Sequence, residues 1–449
     1  MDKRAAHAAL IGLALGAAAL PAAAENLVQV YRDAQRYDAV YSAARFTLEA
    51  GRERLPQGRA LLLPALNLSA NTTSSHLDLE SRNTKPSAGV PSFARLFSAA
   101  GYTLTLSQPV LRQQNSLQFD QAEYQVKQAE ATFEQARQDL ALRAAQAYFE
   151  VLAAQDTLGL VGAQKAAISE QLAQAKRNFE VGTATITDTH EAQARYDLIV
   201  AQEIAAQNDV ETRRQTLQLI TGKEYARLSP LRVDVRLTPP NPNQMRTWVD
   251  LAEKQSYTVQ IQEAAAEVAQ LEAKRASAGH LPTVDLVATY GQNSESATAV
   301  SPIGRDTTTT SVGLQLAVPL YQGGAINSRE REAAANYNKA REDLQNARRT
   351  AALQTRQSYA SVINGIAQIG ALEQALVSSQ SALDSNRLGY EVGVRINIDV
   401  LNAQQQLFST RRDLAVARYN TITNHLKLKA AAGSLRDEDL EEVNRALGP

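Results

Sequence analysis

Apolar residues between about 112 and 180 recur every seven positions. One series runs through Leu140, Ala147, Ala154, Val161 and Ile168, a second through Ala144, Val151, Leu158 and Leu172, with Lys165 as its single interruption. This spacing predicts coiled-coil packing along one very long helix, because the segment holds no proline and only Gly159 and Gly162 as weak points. About 68 residues at 1.5 Å rise make a rod of roughly 100 Å, which a compact bundle has no use for. Alanine at so many seam positions predicts close helix approach, although an ordinary bundle core would explain the alanines equally well. The chain then turns at Val181-Gly182-Thr183, and Asp188 with Glu191 reads as a helix-opening pair for a returning helix over 187–221. A further helix over 26–60, kinked at Pro56, would stack end to end with the returning one and match the long helix in length. The second half repeats this accounting, with a long helix over 325–388 facing shorter ones over 245–279 and 397–431.

Between the first short helix and the long helix of each half the period changes to two. Leu66, Leu68, Ala70 and Thr72 alternate with polar neighbours, as do Tyr102, Leu104 and Leu106, then Val284, Leu286, Ala288 and Tyr290, then Val312, Leu314, Leu316 and Val318. Strands are expected over 62–73, 100–109, 281–291 and 310–319, each with one apolar and one polar face. The connections at 73–99 and 291–310, rich in Ser, Thr, Asn and Gly, read as exposed loops. Pro64, Pro109, Pro282 and Pro319 mark the junctions of strand and helix. Residues 222–244, with Pro239-Pro240-Asn241-Pro242, link the halves, and the charged tail 433–449 is expected to be partly mobile.

The chain also reads twice. Phe179-Glu180-Val181-Gly182-Thr183 with Asp188 returns as Tyr390-Glu391-Val392-Gly393-Val394 with Asp399, Gln146-Ala147-Tyr148 as Gln357-Ser358-Tyr359, and Leu63-Pro64-Ala65-Leu66 as Leu281-Pro282-Thr283-Val284. A repeat of roughly 200 residues is too long for a solenoid unit and indicates a duplicated structural half, 25–221 and 245–432.

Lys3 and Arg4, the apolar run from Ala8 to Leu20 and the small residues Ala22-Ala23-Ala24 form an export signal over 1–24. No later stretch is long and apolar enough for a membrane-crossing helix, so membrane residence must come through strands. The absence of cysteine excludes thiolate metal chemistry and lipid attachment at an N-terminal Cys. A net charge of -1 with mixed signs leaves no footprint for nucleic acid. The five histidines are widely spread, and His190-Glu191 lacks the second histidine of a zinc-protease helix because Ala194 stands there. No enzyme, cofactor or metal site is expected.

The coiled coil has its own partners, which leaves lipid as the cover for the apolar strand faces. Four strands cannot close a barrel, so several copies must contribute, and three would make twelve. The fold class expected is mainly α with membrane β, the helices continuing the barrel as a periplasmic tube.

Pro319-Leu320-Tyr321-Gln322-Gly323-Gly324, Gly389-Tyr390-Glu391-Val392-Gly393 and Arg418-Tyr419-Asn420 resemble the TolC-type outer-membrane efflux proteins, and the similarity runs from about 26 to 440. The resemblance implies a homotrimer with a twelve-stranded barrel in the outer membrane of a Gram-negative cell and a helical tunnel in the periplasm. It implies as partners a periplasmic adaptor (membrane fusion) protein, an inner-membrane RND or ABC pump and outer-membrane lipid. The lack of a lipid-attachment cysteine is similar to the non-lipidated members.

By the same resemblance, Tyr390 and Arg395 against Thr187 and Asp188 would hold the periplasmic end closed. The alternative reading is that Thr187 and Asp188 cap a helix and Arg395 is a solvated loop residue. Asp399 and Asn402 match a constriction ring that is doubly acidic in the family. Here one carboxylate per chain remains, which predicts a weaker cation preference, while Asp399 also fits a first-turn residue favoured by the helix dipole. The turns Val181, Gly182, Thr183 and Val392, Gly393, Val394 would dock the adaptor. Function is thus expected to be that of an exit duct for drugs, small molecules or proteins. The alternative is a trimeric coiled-coil surface stalk anchored by a barrel.

Overall fold

The structure, a computed structural model, describes residues 24–79, 93–232, 235–297 and 303–448. The expected signal up to residue 23 and the central parts of both expected loops lie outside the described residues. The chain divides into two compact units, one of Met1–Ala44, Glu134–Ser256 and Thr350–Pro449, the other of Arg45–Phe133 and Tyr257–Arg349.

In chain order the elements are α1 Leu27–Tyr37, α2 Ala39–Arg52, α3 Arg54–Ala60, β1 Ala65–Leu79, β2 Phe93–Leu111, α4 Gln113–Glu180 and α5 Ile186–Thr221. They continue as α6 Met245–Gln255, α7 Tyr257–Ser277, a short 3₁₀ turn, β3 Thr283–Glu295, β4 Arg305–Ala317, α8 Ala325–Glu391, α9 Asn397–Ala431 and α10 Asp437–Arg445. The segment read as one helix over 26–60 is three. The first break falls at Asp38, whose extended backbone lets its carboxylate accept from the Tyr41 amide at 2.7 Å, and the second at Glu53. That second break lies one turn before Pro56, which sits in the first turn of α3 where an amide N–H has no intrahelical partner to lose. The helix expected over 245–279 is likewise divided, at Ser256.

In the first unit Tyr148 and Phe149 of α4 are fully buried among Leu27, Val30 and Ala34 of α1, Leu217 of α5 and Tyr419, Ile422 and Leu426 of α9. Each such side chain contributes about 1.5–3 kcal/mol through removal of apolar surface from water. Asn26 opens α1 with a reciprocal cap on Gln29. Arg143 grips Asp38 through two bonds of 2.9 and 3.0 Å; burial pushes that carboxyl up, but the guanidinium and the Tyr41 amide outweigh it and hold it below the usual range. The C-terminal segment, read as partly mobile, instead forms α10. Leu440 is buried in the same core, Lys429 binds Asp439 at 2.7 Å and the Tyr31 hydroxyl donates to Asp437 at 3.3 Å. Lys165, the interruption in the heptad series, reaches Glu203 of α5 at 2.6 Å.

The second unit carries an antiparallel sheet of order β1-β2-β3-β4. Its strands run past the expected ends, since Thr73↔Ala99 through Leu79↔Phe93 pair in β1 and β2, and Gly291↔Thr309 through Glu295↔Arg305 in β3 and β4. Register places Leu68, Leu104, Tyr290 and Thr310 in one row and Leu66, Leu106, Ala288 and Val312 in the next, all on one face. The opposite face carries Asn67, Thr105, Thr289 and Ser311, the last two bonded hydroxyl to hydroxyl at 2.6 Å. Pro109 lies within β2 at the register shift between Pro109 and Leu111, where a missing ladder donor is tolerated. Below the sheet Arg112 meets Asp285 at 2.5 Å. Gly58 faces Ala122 and Gly51 faces Ala129 so closely that a side chain at either glycine would collide.

Candidate functional site

The two helix-joining turns of the first unit, 181–185 and 392–396, have the same backbone. Gly182 and Gly393 adopt φ of 77° and 79°, the left-handed region that suits glycine. In the first turn the amides of Thr183 and Ala184 donate to the Asn178 carbonyl at 2.8 and 3.2 Å. In the second those of Val394 and Arg395 donate to the Gly389 carbonyl at 2.9 and 3.0 Å. Val181, Val392 and Val394 are exposed, as is Ile396, so each turn presents aliphatic side chains to its surroundings.

Side chains distinguish the turns. Thr185 is the cap of α5, its hydroxyl accepting from the Asp188 amide at 3.3 Å while the Asp188 carboxylate accepts from the Thr185 amide at 2.9 Å. The opening pair is therefore Thr185 with Asp188, not Asp188 with Glu191, and Thr187 is exposed in the first turn of α5. At the equivalent place Ile396 offers no side-chain cap. Asp399 instead pairs with Arg395 at 3.5 Å, an exposed contact worth about 0–1 kcal/mol. Tyr390 accepts through its hydroxyl from Asn178 Nδ2 at 3.2 Å, which ties α8 to α4.

Behind the turns Ile168, Leu172 and Ala175 of α4, Ala192 and Ile199 of α5 and Leu401 of α9 form a small apolar cluster. Its margin is polar. Asn397 Nδ2 and Gln404 Oε1 are buried without a protein hydrogen-bond partner, and an unsatisfied buried group costs on the order of 1–3 kcal/mol. Asn402 is exposed, and its amide oxygen accepts from Arg195 Nη2 at 2.9 Å while Arg195 Nη1 donates to Gln405 Oε1 at 2.8 Å. Asn178, Arg195 and Gln405 were not singled out in the sequence. Asn178 had a signal, as the counterpart of Gly389 in the repeat. Arg195 and Gln405 had none, because no local pattern announces a partner on another helix.

Among the described residues no helix is long and apolar enough to cross a membrane, and no group of three or more His, Cys, Asp or Glu is placed to hold a metal. The family model for outer membrane efflux proteins matches residues 30–223 and 248–434. The chain is 35% identical over 442 residues to the outer membrane protein TolC of Vibrio cholerae, covering 97% of each protein. It is 32% identical over 441 residues to the proteases secretion protein PrtF of Dickeya chrysanthemi, covering 97% of this chain and 94% of that one. The crystal structure of the outer membrane protein VceC from Vibrio cholerae superposes with a TM-score of 0.76 at 20% identity, covering 91% of this chain and 96% of that one, and so shares the fold. The chain belongs to the outer membrane efflux protein family. It resides in the outer membrane with its helical part in the periplasm, and it serves transport systems as an exit duct.

Proposed function

We propose that three copies pool their sheets into a twelve-stranded barrel whose helices form a gated tunnel. Through it drugs, small molecules or proteins would leave an inner-membrane RND or ABC pump by way of a periplasmic adaptor. The open-edged sheet carries this reading. Among the described residues β1 and β4 each lack a partner on one side, and an open edge is not tolerated in hydrocarbon. The same sheet exposes Leu66, Leu68, Val312, Leu314 and Leu316 on one face, each between 63% and 73% accessible, and hydrogen-bonds its polar face. Lipid on the first face and water on the second satisfy both, and edge-to-edge pairing of three copies removes the edges.

At the periplasmic end Tyr390 and Arg395 act as locks together with Thr187 and Asp188, Asp399 and Asn402 form the constriction, and the exposed turns 181–183 and 392–394 receive the adaptor. A gate that must open needs contacts of modest strength, and the exposed Arg395 pair and the polar margin around Asn397 fit that requirement. Strands inserted twice between helices favour a duct over a stalk that merely reaches outward.

Planar-bilayer conductance of the purified protein, beside a Tyr390→Phe, Arg395→Ser variant, tests the reading. A small conductance that rises clearly in the variant is expected, and an unchanged conductance removes the lock. Native mass spectrometry in detergent should show trimers; solitary protomers would remove the barrel. Protease treatment of intact cells should leave the coiled coil uncut, whereas a stalk would lose it.

A further inference from the structure

The fork formed by Arg195 changes the charge of the constriction. Its two hydrogen-bond partners, the side-chain oxygens of Asn402 and Gln405, are neutral amides. A guanidinium bound to a carboxylate has much of its field cancelled locally, but one bound to amides keeps its full positive charge. Asn402 follows Asp399 by three residues on α9, so the two lie on neighbouring turns of one helix face. The carboxylate of Asp399 is already shared with Arg395 at 3.5 Å. Two guanidinium groups, those of Arg395 and Arg195, thus accompany the Asp399 carboxylate on this stretch, where the sequence suggested a carboxylate and an uncharged amide.

We propose that Arg195 is a selectivity-determining residue of the duct: by binding Asn402 it sets a ring of positive charge beside the Asp399 ring and cancels the cation preference the carboxylates would impose. The inference rests on the proposed duct with Asn402 at its constriction. Two unit charges about 8 Å apart in water interact by roughly 0.5 kcal/mol, a factor of about two in local ion occupancy, and three copies around a narrow axis compound it. The same fork holds the first turns of α9 to α5, where Leu401 enters the apolar cluster with Ile199.

The test is the potassium-to-chloride permeability ratio, taken from reversal potentials across planar bilayers at low salt. The wild-type ratio should lie near unity. Arg195→Gln, and independently Arg195→Ala, should raise it about threefold toward potassium. Arg195→Lys, which keeps the charge and loses the fork, should stay near the wild-type ratio. The difference should vanish near about 1 M salt, where the screening length falls to about 3 Å. A strongly cation-selective wild type, or neutral variants that conduct with an unchanged ratio, overturns the role of Arg195 and leaves the duct standing. Absence of conductance from trimeric wild-type protein overturns the duct itself, and the inference with it.

Discussion

The turns 181–185 and 392–396 share glycine conformation and backbone hydrogen bonds, yet differ in what their acidic residue does. In the first, Asp188 is committed to the cap of its own helix; in the second, Asp399 is left to an exposed arginine because Ile396 cannot cap. Duplication thus preserved the backbone device, which depends on one glycine and main-chain groups, and released the side-chain device. A side-chain cap satisfies the Asp188 amide of α5, whereas the Asp399 amide of α9 has only a backbone bond to the Ile396 carbonyl at 3.1 Å. That asymmetry would suit a gate in which one hairpin stays still and the other moves.

Six substitutions, read by amide hydrogen exchange at the two turns, and one titration, read by thermal unfolding, can break or sharpen this contrast. Gly182→Val and Gly393→Val should each cost about 1–2 kcal/mol of local stability, because a β-branched residue is forced to positive φ. Unequal costs would show that the turns are not equivalent in backbone. Thr185→Ala should cost about 1 kcal/mol at the start of α5, whereas Ile396→Ala should cost almost nothing at the start of α9. Ile396→Thr should slow exchange at the start of α9 by about 0.5–1 kcal/mol, since it rebuilds the reciprocal cap with Asp399; no change would mean that Arg395 holds the carboxylate too firmly. Arg395→Gln should change local stability by less than about 1 kcal/mol, the arginine itself being largely solvated.

Acidification separates both turns from the core that holds α10. Burial and the nearby Lys429 lower the pKa of half-buried His425, against Glu442 and Asp439, so the folded chain favours the neutral imidazole. The unfolded chain takes up the proton first, and stability is lost as pH falls through the ordinary histidine value of about 6.5 toward the depressed one. Thermal unfolding between pH 7 and pH 5 should show this loss, and His425→Gln should reduce it. An equal loss in the variant would assign the pH response elsewhere.

Sequence legibility followed the kind of interaction that builds each element. The heptads of α4 are visible because its seam is apolar, and even the interruption at Lys165 has a partner, Glu203. The distal strand pairs, Thr73↔Ala99 onward, are hidden because the run Thr73-Ser74-Ser75-His76 breaks the apolar alternation of β1 while main-chain bonds carry the pairing onward. The breaks at Asp38 and Ser256 were equally hidden, since neither proline nor glycine marks them.

Taken alone, the order of residues determined the long helices, the four alternating strands, the glycine turns and the internal duplication. Each of these depends on neighbours within a few positions or on a pattern that recurs along the chain. Only the tertiary structure decided that Tyr390 meets Asn178, that Asp399 meets Arg395, and that Arg195 reaches Asn402 and Gln405. Two of those three contacts join helices far apart in the chain. Long polar side chains choose such partners by where packing sets their helices, and the charge at the proposed gate would follow from that choice.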